Sequence, residues 1–205
     1  MIGMLKKDLL YIKNQGVFFL VLMVFYFGLS LYMKDSILAS AGLMLLALVF
    51  PRTAFSYDAR ANWEMFALTT PASRKDIVGA KYLLGLIAIL ISFGLSLVVV
   101  GVTHQPLAEA GLPAVAFGLF GIIALAAMFP ILFKFGVEKA QYVIMFLTLS
   151  PMFLAPLIAQ ITAGFSSQFL SLLALYGVYL AIAMTVALMV GSYFCSVAIY
   201  KKKEF

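Results

Sequence analysis

Side chains that could move a proton, hold a metal ion or attack a carbonyl are scarce in this chain: 8 Asp and Glu, 1 His and 1 Cys among 205 residues. His104 has only Glu109 nearby in sequence, whereas a metal site needs several His, Cys or carboxylate ligands converging, so His104 reads as an ordinary interfacial residue. Cys195 has no second cysteine with which to form an intramolecular disulfide. No Gly-rich loop ending in Gly-Lys-Ser/Thr occurs, and ATP binding in the Walker manner is not expected. No nucleophile is paired with a base inside an apolar stretch, which argues against an intramembrane hydrolase. The chemistry that remains is concentrated in one segment, YDARANWEMFALTTPASRKDIVGAKYL, from Tyr57 to Leu83, which holds the single tryptophan. Its mixture of charges and aromatic anchors suits recognition of another protein.

The elements around that segment are apolar. Hydrophobic residues make up 65% of the chain and charged residues 11%, against about 45–50% and about 25% in a soluble domain, so the chain reads as an integral membrane protein. A hydrocarbon core of about 30 Å requires roughly 20 helical residues, since backbone amides in lipid must bond within their own segment. Six segments qualify: Gly16 to Met33, Ser36 to Ser56, Tyr82 to Thr103, Leu112 to Phe133, Ala140 to Thr162 and Phe169 to Tyr200. The second reaches full length by letting Arg52 snorkel toward the headgroups. Of the 14 Lys and Arg, all but Lys34 fall in the gaps on one side, which places that side and both termini in the cytoplasm. The fold class is thus all-α, a polytopic cell-membrane protein forming a single transmembrane domain over residues 1–205. The net charge of +6 does not point to nucleic acid, because the basic residues mark a membrane face and are not clustered with aromatics.

Met1 to Lys13 places Ile2, Leu5, Leu9 and Ile12 at helical spacing, with Lys6, Lys7 and Lys13 available on the other side. This reads as an amphipathic helix along the inner leaflet, with a basic topogenic tail as the alternative. In the segment after the second span, Ser73 and Asp76 form a serine–acid capping pattern with Pro71 just outside it, so a helix should begin near Ser73. Ala61 to Leu68 reads as a short amphipathic helix presenting Trp63, Phe66 and Ala67 beside Asn62 and Glu64. Its aromatic residues serve either a protein partner or the headgroup belt. Pro151 and Pro156 each remove a backbone donor from the fifth segment and should kink or break it; this marks either a translocation path or a structural bend. Small residues four apart, at Ala114 and Gly118 and at Ala183, Ala187 and Gly191, favour close helix packing, within the chain in preference to between subunits.

Tyr57-Asp58, Trp63-Glu64, Leu68-Thr69-Thr70-Pro71, Ser73-Arg74, Ile77-Val78 and Lys81-Tyr82, with Glu138-Lys139 further on, resemble the signature of small six-span permeases of the ATP-binding-cassette type-2 family. The chain is also similar to the membrane subunits of bacterial exporters for phenol-soluble modulins and other antimicrobial or cytolytic peptides. The resemblance implies an amphipathic elbow helix over residues 1–15 and a cytoplasmic coupling loop over residues 57–81. In that loop Asp58, Arg60, Asn62, Trp63, Glu64, Phe66 and Leu68 would engage a separate ATPase subunit that carries the ATP and Mg. No cofactor is expected in this chain.

The spans hold no internal carboxylate or histidine of the kind ion-coupled transport uses at the midplane, which disfavours a secondary transporter. A path between such helices would be lined by apolar, aromatic and hydroxyl groups, and 11 Met and 19 Phe offer adaptable contacts to an amphipathic peptide. One chain encloses too little for a large conduit, so a second membrane subunit, identical or related, is expected to complete it. The resulting expectation is the permease subunit of an ATP-driven peptide exporter. A sensor or immunity scaffold that binds toxic peptides without transporting them is the alternative.

Overall fold

The computed structural model describes residues 2–13, 16–61, 63, 66–67, 73–104, 107–162 and 167–203. Within these helices the side chains of residues 147–148, 150–159 and 167–175, among others, lie outside the described residues. The elements are α1 (Ile2–Lys13), α2 (Gly16–Met33), α3 (Ser36–Arg60), α4 (Arg74–Val102), α5 (Leu107–Thr162) and α6 (Ser167–Lys202). Among the described residues four helices are long and apolar enough to cross a membrane: Ser36–Arg60, Arg74–Val102, Pro113–Phe146 and Tyr176–Lys202. Val17–Met33 is a shorter apolar helix.

The helix ends follow from local side-chain chemistry. Asp35 caps α3, its carboxylate accepting from the Ile37 amide at 2.8 Å, and Lys34 takes φ 53 in the tight turn from α2. Ser73 caps α4 as its spacing implies: the Ser73 hydroxyl accepts from the Asp76 amide, and the Asp76 carboxylate accepts from the Ser73 amide, each at 3.2 Å. The α3–α4 connection is shorter than the sequence suggests. α3 runs through Tyr57 and Asp58 to Arg60, because Tyr-Asp-Ala-Arg contains no breaker and Asp58 finds cations to one side of the helix.

α5 comprises two helical stretches that meet at Gly136, whose φ of 75° and ψ of 177° suit only glycine. Before it, α5 follows α3 toward Arg60, with Met44 against Gly121 and Phe55 against Phe129 and Phe133. After it, Gln141 to Met145 lies beside Leu45 to Arg52. The chain therefore turns back along α3 at Gly136, in the gap where the sequence places a boundary between two apolar segments.

α3 and α4 form the centre, with α2 against α3, α5 against both, and α6 on α5 and α4. α1 crosses the end of the bundle where α3 finishes and α4 begins, touching both. Close approach depends on glycine at Gly42, where a Cβ would lie 2.4 Å from the Tyr26 ring. Ala114 is buried and Gly118 packs against Phe93, so that pair serves packing within the chain. Ala183, Ala187 and Gly191 do not: all three are exposed on α6, contrary to the use their spacing suggests, because α6 meets α5 and α4 along a different face.

Candidate functional site

The densest polar cluster among the described residues lies where α1, α3 and α4 meet. Asp8 and Lys7 come from α1, Asp58 from the last turns of α3, and Lys81 from the second turn of α4. Lys81 Nζ bonds to Asp8 Oδ2 at 2.9 Å and Asp58 Oδ2 at 2.6 Å. Lys7 Nζ takes Asp58 Oδ1 at 2.5 Å and stands 3.2 Å from Asp8 Oδ1, within Coulombic reach but without the angle of a hydrogen bond. Two cations and two carboxylates thus alternate in a ring of zero net charge, with the Asp8, Asp58 and Lys81 side chains 1%, 8% and 5% exposed. Such a ring is tolerable away from water only because each charge faces opposite charges on both sides.

Trp63 joins this ring. Lys7 Nζ lies 4.1 Å from the centroid of the Trp63 ring, a cation–π geometry, and Trp63 is 5.2 Å from Phe66. The indole is half-buried against the core while Phe66 is 58% exposed. The connection between α3 and α4 is therefore anchored at Trp63 and presents Phe66 outward. On the other side, Lys81 stands 5.3 Å from the Phe55 ring. Phe55 leads into an aromatic core with Phe129, Phe133, Tyr82 and Tyr200.

Tyr82 and Arg74 tie α4 to α6. The Tyr82 hydroxyl pairs with Ser192 Oγ at 2.6 Å and Ser196 Oγ at 2.8 Å, and Ser192 donates to the Ala126 carbonyl of α5 at 2.5 Å. Arg74 donates to the carbonyls of Tyr200 and Lys201 at 3.2 and 2.5 Å, satisfying the end of α6. At the exposed cap ahead of the apolar part of α4, bonds from the Ser73 hydroxyl and amide hold the Asp76 carboxyl below its ordinary pKa. Among the described residues the cluster contains no nucleophile paired with a base; its contacts join the α3–α4 connection to α1, α3 and α4, and the aromatic core joins these to α5 and α6.

The residues singled out from sequence occupy different places in it. Asp58 is inside the ring, turned away from the surface; Arg60 is exposed at the end of α3; Trp63 sits over Lys7; and Phe66 faces outward. Asn62, Glu64 and Leu68 lie outside the described residues, as do the side chains of Pro151 and Pro156; the backbone of α5 stays helical through both prolines, so the expected break does not occur there, and the interruption lies at Gly136. Within α1 the inward-facing residues include Lys7 and Asp8, whereas Lys7 reads from sequence as part of the outward basic side; the side chains of Ile2, Leu5, Leu9 and Ile12 lie outside the described residues. Sequence reasoning did not find Asp8, Lys7 and Lys81 as a unit. The available signal is Asp8, the one acidic residue in an otherwise apolar and basic helix.

The model for the ABC-2 family transporter protein matches residues 3–201, which takes in the junction, the connection and all the apolar helices. The chain belongs to the ABC-2 transporter family. No curated protein and no solved structure matches it. As an ABC-2 protein the chain is a membrane permease subunit of an ABC transporter, a non-catalytic subunit that works in the bilayer with an ATPase subunit.

Proposed function

We propose that this ABC-2 permease exports amphipathic or cytolytic peptides from the cell, driven by ATP and Mg held on the partner ATPase. It would cross the membrane six times, with α2, α3, α4, the two stretches of α5 and α6 as spans, both termini in the cytoplasm, and α1 as the elbow helix. Two membrane subunits and two ATPase subunits form the working unit, and the peptide path lies between the membrane subunits. The segment around Trp63 is the coupling element that docks on the ATPase.

The observation that carries this reading is the anchoring of Trp63 on the ion-paired ring. A docking segment that hung free would absorb the movement of its partner. Here the indole sits on Lys7, Lys7 is bonded to Asp58, and Lys81 links Asp58 to Asp8, so movement of the connection displaces the ends of α1, α3 and α4 together. Phe66, exposed beside Trp63, supplies an aromatic surface for the partner. Export of an amphipathic cargo accords with apolar segments free of internal carboxylates and with adaptable Met and Phe side chains.

The experiment is reconstitution of the chain with its ATPase in vesicles. Amphipathic peptide should stimulate hydrolysis and accumulate across the vesicle wall, and Trp63→Ala or Glu64→Arg should weaken ATPase association while membrane insertion persists. Peptide binding without stimulated hydrolysis or accumulation would instead identify a peptide sensor or immunity scaffold.

A further inference from the structure

A second polar feature lies on the opposite face of α3 and takes no part in the ring. Where α3 passes the second stretch of α5, a groove is walled by Leu45, Leu48, Val49 and Ile144 and is bounded at one end by Arg52. It continues into a polar pocket lined by Arg52, Thr53, Ser56, Tyr57 and Arg60. Neither Arg52 nor Arg60 has a carboxylate within ion-pair distance among the described residues. Glu138, exposed nearby in sequence beyond Val137, pairs with neither. Lys134 and Lys139, both exposed, flank the Gly136 turn at the same end and add to the positive field.

Depth fixes what these cations face. At about 1.5 Å per residue, Arg52 lies about 24 Å along α3 from Ser36 and Arg60 about 36 Å. A hydrocarbon core of about 30 Å entered near Ser36 therefore ends between them, so the two guanidinium groups bracket the level at which lipid phosphates stand. The apolar walls occupy the acyl-chain depth, and the hydroxyls of Thr53 and Ser56 lie between the arginines. Polarity changes along the groove in the order in which it changes along a phospholipid standing in a leaflet. Two arginines with no carboxylate partner among the described residues favour an anionic headgroup over a zwitterionic one.

We propose that the groove between α3 and the second stretch of α5 holds an anionic phospholipid, its phosphate on Arg52 and Arg60 and an acyl chain along Leu45, Leu48 and Ile144. The leaflet is the one on the side of α1; only its assignment as the cytoplasmic leaflet rests on the orientation proposed above. Occupancy would wedge α3 against the returning stretch of α5, coupling anionic lipid content to the packing of the transmembrane helices.

The test uses the full-length chain without its ATPase, so it succeeds or fails independently of the coupling and cargo readings. The chain is reconstituted in nanodiscs containing phosphatidylglycerol and phosphatidylcholine in equal amounts, and retained lipid is counted by native mass spectrometry after mild detergent release. Phosphatidylglycerol should be retained in preference. The preference should fall about tenfold or more in R52Q/R60Q and return at least in part in R52K/R60K. Should the double variant lose its fold, R60Q alone, at an exposed position, serves in its place and should reduce the preference in the same direction. Equal retention of the two lipids, or a preference unchanged in R52Q/R60Q and R60Q, overturns the proposal. Conversion of a dimer to a monomer by R52Q/R60Q with lipid retention unaltered overturns it as well, and assigns the groove to a second copy.

Discussion

Replacing Lys81 with Met removes one of the two cations from a junction whose formal charge is zero. Lys7 alone then faces Asp8 and Asp58, whose side chains are 1% and 8% exposed, and one negative charge is left uncompensated away from water. Deleting one partner of a buried ion pair costs about 3–5 kcal/mol. The 16% exposure of Lys7, which admits some solvent to the ring, places the expected cost at the lower end, about 3 kcal/mol. For a chain of this size each kcal/mol shifts the unfolding midpoint by about 2–4 °C, so Lys81→Met should unfold about 6–12 °C below the parent. The assay is thermal unfolding of the full-length chain in nanodiscs, followed by circular dichroism. Asp8→Asn removes the matching negative charge. Alone it should destabilise, and combined with Lys81→Met it should recover at least about half the loss, because neutrality returns. A midpoint within about 2 °C of the parent for Lys81→Met, or a double variant destabilised by the sum of the two singles, refutes a coupled buried ring.

Other expectations follow from single contacts. Tyr82→Phe removes the hydroxyl shared by Ser192 and Ser196, and should cost about 1–2 kcal/mol in the same unfolding assay while leaving the Ser192 bond to Ala126 in place. Gly136→Ala forces a Cβ onto a backbone conformation that suits only glycine, and should cost about 1–3 kcal/mol although nothing lies within 4 Å of the added atom. An unchanged midpoint in that variant would show that the turn in α5 relaxes without strain. Arg74→Gln withdraws the guanidinium from the carbonyls of Tyr200 and Lys201, and hydrogen exchange in the last turn of α6 should accelerate while exchange near Ser192 stays at the parental rate.

The helices and their ends were legible in the sequence wherever the determinant is local. Apolar runs of membrane length, the Ser73 cap and the boundary around Gly136 follow from residue type and spacing over a few positions. Family membership was legible too, through the Tyr57-Asp58 to Lys81-Tyr82 signature. The ring was not legible, because its bonds join residues 51 and 73 positions apart and no periodicity encodes such pairings. Asp58 illustrates the difference: the family resemblance implies a surface contact for a partner, yet Lys7 and Lys81 draw it inward. The outward face of α6 was misread for the same reason. Small residues at a spacing of four specify a surface suited to close packing, but which helix occupies that surface depends on the tertiary arrangement.

The coupling role of the Trp63 segment is tested most directly by a photo-crosslinking amino acid at Phe66, the exposed aromatic residue beside the anchored indole, in the intact complex in vesicles. Irradiation should yield an adduct with the ATPase subunit, and the yield should fall in Trp63→Ala, where the segment loses its seat on Lys7. Adducts with lipid alone, while the ATPase is bound, would contradict docking through this segment.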